Sequence, residues 1–248
     1  MKKQDFLLVV LIWIVTLALF FPVLTTYFMG DDFFHFRLSD TDGSFLGFVK
    51  LFGFYPISEH GAAFYRPIFR EVVYNLSYQF WGLNQLPLRI LSLILHFGNI
   101  VLIYLLITKL FIDLAESTRR KIVFFTTLLF AIAPANVGIL YYLAGGIQAQ
   151  GATLFILLSM FLFSKHYKLA FLSFILSLMS HEIALSAPLI VAVFSFMTHS
   201  FNSKKLAPFF LGALLLLVLE VKLIGFSVSE VQYQPVRSEE HTSELQSR

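Results

Sequence analysis

Residues 6–28 read FLLVVLIWIVTLALFFPVLTTYF, 23 positions without a charge, and residues 29–37 read MGDDFFHFR, with two adjacent carboxylates on the first polar step. At a rise of about 1.5 Å per residue, a helix through the first stretch reaches roughly 34 Å, enough to cross a hydrocarbon core of about 30 Å. The run is longer than the apolar part of a secretory signal and ends without a small-residue cleavage pattern, so it is expected to stay in the chain as a first span. Asp31 and Asp32 then have two readings. Gly30-Asp31-Asp32 is a helix stop at the water boundary, or the acids do chemistry at a membrane surface.

The rest of the chain has the same character. With 58% hydrophobic residues, 13% charged and a mean hydropathy of +0.78, it is too apolar for an ordinary soluble domain, and an all-α integral membrane protein is expected. The net charge of +3 comes from basic clusters between apolar runs, which argues for membrane orientation and against nucleic-acid binding. The absence of cysteine excludes disulfides and thiolate metal sites. Residues 237–248, RSEEHTSELQSR, are polar and aperiodic and resemble the translation of a sequencing adapter. They are expected to be non-native, which leaves residues 1–236 as the N-terminal part of a longer transmembrane domain.

Apolar segments run over residues 6–28, 88–111, 122–139, 147–163, 169–179, 183–197 and 206–226, predicting about seven transmembrane or half-membrane helices. The basic clusters Lys2-Lys3, Arg119-Arg120-Lys121, Lys165 with Lys168, and Lys204-Lys205 fall on one side if these segments alternate. That predicts a cytoplasmic amino terminus and an external segment 30–85. Residues 169–198 are long for one crossing and short for two, so a hairpin of two short helices is expected with His181-Glu182 at its tip. Residues 134–151 carry Pro134, Asn136, Gly138, Gly145, Gly146, Gln148, Gln150 and Gly151, a density of breakers and amides that predicts a turn dipping into the same cavity. In the long segment 30–85, residues 45–54 and 67–81 have helical apolar spacing and are expected to form amphipathic interfacial helices.

Several side chains could carry chemistry. An acid at an apolar boundary, such as Asp31 or Asp32, can act as a general base or hold a divalent cation when a phosphate is nearby. Glu182 lies inside an apolar stretch, where an ionisable residue is costly and marks either a functional group or a structural pair; His181 beside it is a weaker candidate. Arg89, Ser92, His96 and Asn99 recur at helical spacing on one face, able to bind a phosphate or sugar hydroxyl, or to stitch helices together. Tyr65-Arg66-Pro67 precedes an amphipathic helix, where Arg66 could engage a lipid phosphate or an acid, or be solvated.

Taken together these pieces resemble the GT-C superfamily of membrane glycosyltransferases, in the branch similar to protein O-mannosyltransferases and the bacterial transmembrane-and-tetratricopeptide type. The residues that carry the resemblance are Gly30-Asp31-Asp32-Phe33, Phe64-Tyr65-Arg66-Pro67-Ile68, His96-Phe97-Gly98-Asn99, Phe130-Ala131-Ile132-Ala133-Pro134 with Tyr142-Leu143-Ala144-Gly145, and Ser180-His181-Glu182 followed by Pro188. It covers about residues 6–226. The resemblance implies a polyprenyl-phosphate sugar donor, a protein, glycan or lipid acceptor hydroxyl, and a bacterial plasma membrane location. It implies that Asp31 or Asp32 activates the acceptor, with or without a divalent cation. Tyr65 and Arg66 would meet the lipid phosphate, while Arg89, His96, Asn99, His181 and Glu182 would shape the donor cavity. Where such relatives carry a basic residue after the glycine at 145 this chain has Gly146, and where they carry a lysine before the glutamate it has His181. A lipid-linked-sugar flippase or other transporter is the competing class, since it would also need broken helices and intramembrane ionisable residues.

Overall fold

The computed structural model describes residues 3–225 and is all-helical, without a strand among those residues. The expected boundary at residue 236 and the tail 237–248 lie outside the described residues. Each of the seven apolar segments carries helix over most of its described residues, but they are unequal. Among the described residues four helices are long and apolar enough to cross a membrane: Lys3–Thr25, Leu86–Leu110, Leu143–Leu162 and Ser203–Ile224. A fifth is available if the bent pair Glu116–Ile132 and Ala135–Tyr141 counts as one span.

Proline placement explains much of this punctuation. Helix α1 (Lys3–Phe20) passes into a 3-10 turn, Phe21–Thr25, at Pro22, which has no N–H to give and whose ring crowds the preceding turn. Thr26 is already extended, so the first span ends a few residues earlier than its apolar run. Helix α2 (Gly30–Leu38) begins where the sequence suggested a stop. Gly30 starts a helix because Asp31 and Asp32 occupy its first turn, where carboxylates complement the helix dipole, and Asp32 accepts the Met29 N–H at 2.9 Å. Short helices α3 (Phe45–Lys50) and α4 (Ile57–His60) follow, then a π-helical turn, Pro67–Val72, that runs into α5 (Val73–Trp81). The amphipathic segment 67–81 is therefore helical throughout, while that at 45–54 is helical only to Lys50.

Helix α6 (Leu86–Leu110) is continuous. Helix α7 (Glu116–Ile132) stops at Ala133, which is extended before Pro134, and α8 (Ala135–Tyr141) leaves at 51°. Helix α9 (Leu143–Leu162) is the central post, packed against both α6 and α10 (Tyr167–Leu178). Small residues let neighbours come close to it: a side chain at Gly151 would meet the Phe69 ring, and one at Gly146 the Ile139 carbonyl. Beyond α10, His181 is extended, and a 3-10 turn, Glu182–Ser186, leads into α11 (Ala187–Met197) with Pro188 in its first turn. This is the expected hairpin, with its break at His181. Helix α12 (Ser203–Leu219) ends in a second π-helical turn, Glu220–Ile224. The main core joins α9 to α12 through Met160, Phe163, Phe174, Leu206 and Phe209.

Candidate functional site

Four stretches far apart in sequence meet at one polar centre: α2, the turn Arg66–Val72, the start of α9 and the hairpin tip. Arg66 is its hub. Its Nε donates to Glu182 Oε2 at 2.8 Å, its Nη2 to Glu182 Oε1 at 2.6 Å and its Nη1 to Gln148 Oε1 at 2.7 Å. The first two bonds form a bidentate fork, the strongest geometry open to an arginine and a carboxylate. The Phe64 ring lies 5.1 Å from the guanidinium carbon, a cation–π distance. The hairpin break presents Glu182: with His181 extended, the carboxylate leaves the helix axis and reaches a residue 116 positions earlier.

Gln148 carries the network onward. Because its oxygen serves Arg66, its amide nitrogen faces the Ala144 carbonyl and His35 Nδ1, the latter at 3.3 Å. His35 is therefore an acceptor at Nδ1 and keeps its proton on Nε2. Burial, helped by the Arg70 and Arg66 charges, pushes its pKa down to about 4, so the imidazole is neutral at physiological pH.

The two aspartates diverge. Asp32 is fully buried; its Oδ2 holds the Met29 N–H and its Oδ1 accepts from Tyr74 Oη at 2.6 Å. Burial and the Asp32 carboxylate raise the Tyr74 pKa well above the usual phenol range, so this phenol remains a donor. Asp31 is exposed and accepts from Tyr142 Oη. The two carboxylates therefore face different partners. Among the described residues no group of three or more His, Asp or Glu side chains is spaced to hold a metal.

Tyr65 belongs to the centre through its backbone. Its N–H donates to Glu220 Oε1 at 3.0 Å, and its ring stacks on Phe54 with centroids 3.9 Å apart. His181 Nδ1 lies 3.4 Å from Glu182 Oε2 but accepts the Ile183 N–H at 3.2 Å. In that arrangement it presents a lone pair, so it helps terminate the hairpin turn and does not bridge to the carboxylate.

Arg89, His96 and Asn99 lie elsewhere, on the buried face of α6, and their donors go to backbone carbonyls. Arg89 Nε and Nη2 donate to Thr26 and Tyr27 at 3.0 and 2.9 Å, and its Nη1 to Leu140 and Tyr141 at 3.0 and 2.8 Å. It clamps the end of the first span to the end of α8, close in sequence to Met29 and Tyr142, which donate to Asp32 and Asp31. His96 Nε2 meets the Ala131 carbonyl at 3.0 Å, and Asn99 Nδ2 the Gln150 carbonyl at 3.2 Å. This is the interhelical stitching alternative. No side chain fits at Gly146, because the Ile139 backbone carbonyl occupies that space.

His35, Arg70, Glu71 and Glu220 also join the cluster, and Gln148, expected in a turn, joins it from within the continuous helix α9. Glu71 Oε1 accepts from Arg70 Nε at 2.9 Å and from His60 Nε2 at 3.1 Å. The local signal available was charge or polarity in apolar company, strongest for Glu220 inside the final apolar run. No family model, curated protein or solved structure matches the chain.

Proposed function

We propose that this chain is part of an integral membrane glycosyltransferase that moves a sugar from a polyprenyl phosphate to a protein, glycan or lipid hydroxyl at the external membrane face. The observation that carries the reading is the Arg66 fork: a guanidinium held by Glu182 and Gln148, in a cluster that α2 joins through His35. A carboxylate seated bidentately on an arginine occupies the geometry a phosphate would take. The cleft bordering Arg66 has a volume of only about 10 Å³, so in this reading the lipid phosphate displaces Glu182 from the fork as it enters.

The reaction balances as a displacement. The acceptor hydroxyl oxygen forms a bond to the anomeric carbon, and the bond from that carbon to the phosphate oxygen breaks. The acceptor proton passes to a carboxylate, and the charge on the departing lipid phosphate falls on Arg66. Asp31 suits the base because it is exposed. Asp32, with both oxygens engaged in the fold, supports the helix that carries it. In the topology this requires, the amino terminus is cytoplasmic, residues 30–85 are external, and the hairpin and bent pair enter the membrane as half-spans.

The test uses the chain in membranes with a labelled polyprenyl-phosphate sugar. Asp31→Asn should fold normally and lose transfer by about 10²-fold or more, the usual worth of a general base. Asp32→Asn, with one acceptor oxygen in place of two, should also lower stability. Full activity in both variants would sink the reading. The bent α7–α8 pair and the hairpin also suit a transporter, for which label would cross the membrane with the sugar–phosphate bond intact.

A further inference from the structure

A second polar cavity, of about 300 Å³, lies among the end of α2, α3 and α4, at the lower end of the ~300–1,000 Å³ range of small-molecule sites. Asp40, Asp42, Lys50, Tyr55, His60 and Glu71 line it. Acceptors and donors are therefore mixed around one space, and an aromatic surface accompanies them. The Tyr55 ring stacks on His60, centroids 5.0 Å apart and planes 28° apart. Its hydroxyl donates to the Lys50 carbonyl at 2.7 Å, which fixes the ring's orientation.

Glu71 supplies the independent observation. It is only 4% exposed, and while Oε1 is shared by Arg70 and His60, Oε2 is buried without a hydrogen-bond partner. A carboxylate oxygen in that condition has an unmet hydrogen bond, which a ligand hydroxyl satisfies if the wall shifts to admit it. An ammonium ligand is poorly served, because it offers only donors and leaves Lys50 in the same wall without an acceptor. A phosphate is poorly served too, since three carboxylates face one lysine. A pyranose ring is served well: its hydroxyls can both donate to carboxylates and accept from an ammonium, and its C–H face can lie on an aromatic ring.

We infer that this cavity binds one pyranose unit of a glycan, with Asp40, Glu71 and Lys50 on its hydroxyls and Tyr55 under its ring. Leu51, Tyr55, His60 and Glu71 also border the narrow cleft that reaches Tyr65 and Arg66, so the bound unit lies beside the Arg66 centre. Assigning that glycan as the acceptor rests on the transferase reading; the binding itself does not.

Saturation-transfer NMR on the detergent-solubilised full chain, with a panel of methyl hexopyranosides and short oligosaccharides, tests it. At least one glycoside should receive saturation at its ring C–H protons. Tyr55→Phe should keep that signal, while Tyr55→Ala and Asp40→Asn should weaken apparent affinity about tenfold, with thermal unfolding of Asp40→Asn as in wild type. Absence of any glycoside signal, an affinity unmoved by both Tyr55→Ala and Asp40→Asn, or binding of methylammonium in place of sugars would overturn the site. A chain that binds a glycoside yet transfers no label to it from a polyprenyl-phosphate sugar keeps the cavity and overturns its role as acceptor site.

Discussion

Arg66 has five N–H donors in a planar fork, and three of its bonds are already placed. Lysine has the charge without the fork, so Arg66→Lys should leave the chain folded and lower transfer by about 10²-fold, the usual worth of one transition-state donor. Comparing turnover of wild type and variant on one labelled donor measures this; equal rates would mean that Arg66 is purely structural. His35 makes a prediction that needs no substrate. Its pKa is near 4 in the fold against about 6.5 unfolded, so the unfolded chain takes up the proton first as pH falls. Stability from this group is then complete above pH 6.5 and is lost progressively down to about pH 4, by about 3 kcal/mol. Thermal unfolding of wild type should weaken across that window, and His35→Gln should flatten the slope.

At the scale of elements, α9 depends on what it lacks. A side chain at Gly151 would enter the space of the Phe69 ring, whereas one at Gly138 in α8 meets nothing within 4 Å. Gly151→Ala should therefore destabilise by about 1–3 kcal/mol through overpacking, and Gly138→Ala should be neutral or slightly stabilising. Denaturation of the two variants side by side checks this. The same elements divide what was legible in the sequence from what was not. The hairpin at His181 and the amphipathic run 67–81 are legible because each is written in neighbouring residues, by length or by apolar spacing, whereas the turn expected over 134–151 is two helices with short breaks at 133–134 and at Tyr142. Glycine often ends helices, which makes a stop at Gly30 one of its two sequence readings; the two acids after it outweigh that tendency by favouring a helix start. The partnership of Arg66 with Gln148, 82 positions away, leaves no periodic trace. Nor does spacing reveal that Arg89 spends itself on four carbonyls, since a phosphate-binding arginine and a stitching one look alike on a helical wheel.

For the whole molecule, the proposed orientation rests on the charge pattern, and the absence of cysteine makes it measurable. Single cysteines at exposed positions should label from opposite sides: Glu59→Cys with an impermeant thiol reagent added to intact cells, Ser203→Cys only after the membrane is opened. Labelling of both from the same side would overturn the proposed topology. The hydrogen bond from the Tyr65 N–H to Glu220 ties a loop made early in synthesis to a side chain made 155 residues later. The spans before residue 220 can be inserted and packed while the Arg66 loop still lacks its last restraint. This one contact therefore forms only once Glu220 has been made, and a nascent chain halted short of it would carry the rest of the site's residues without this part of their geometry.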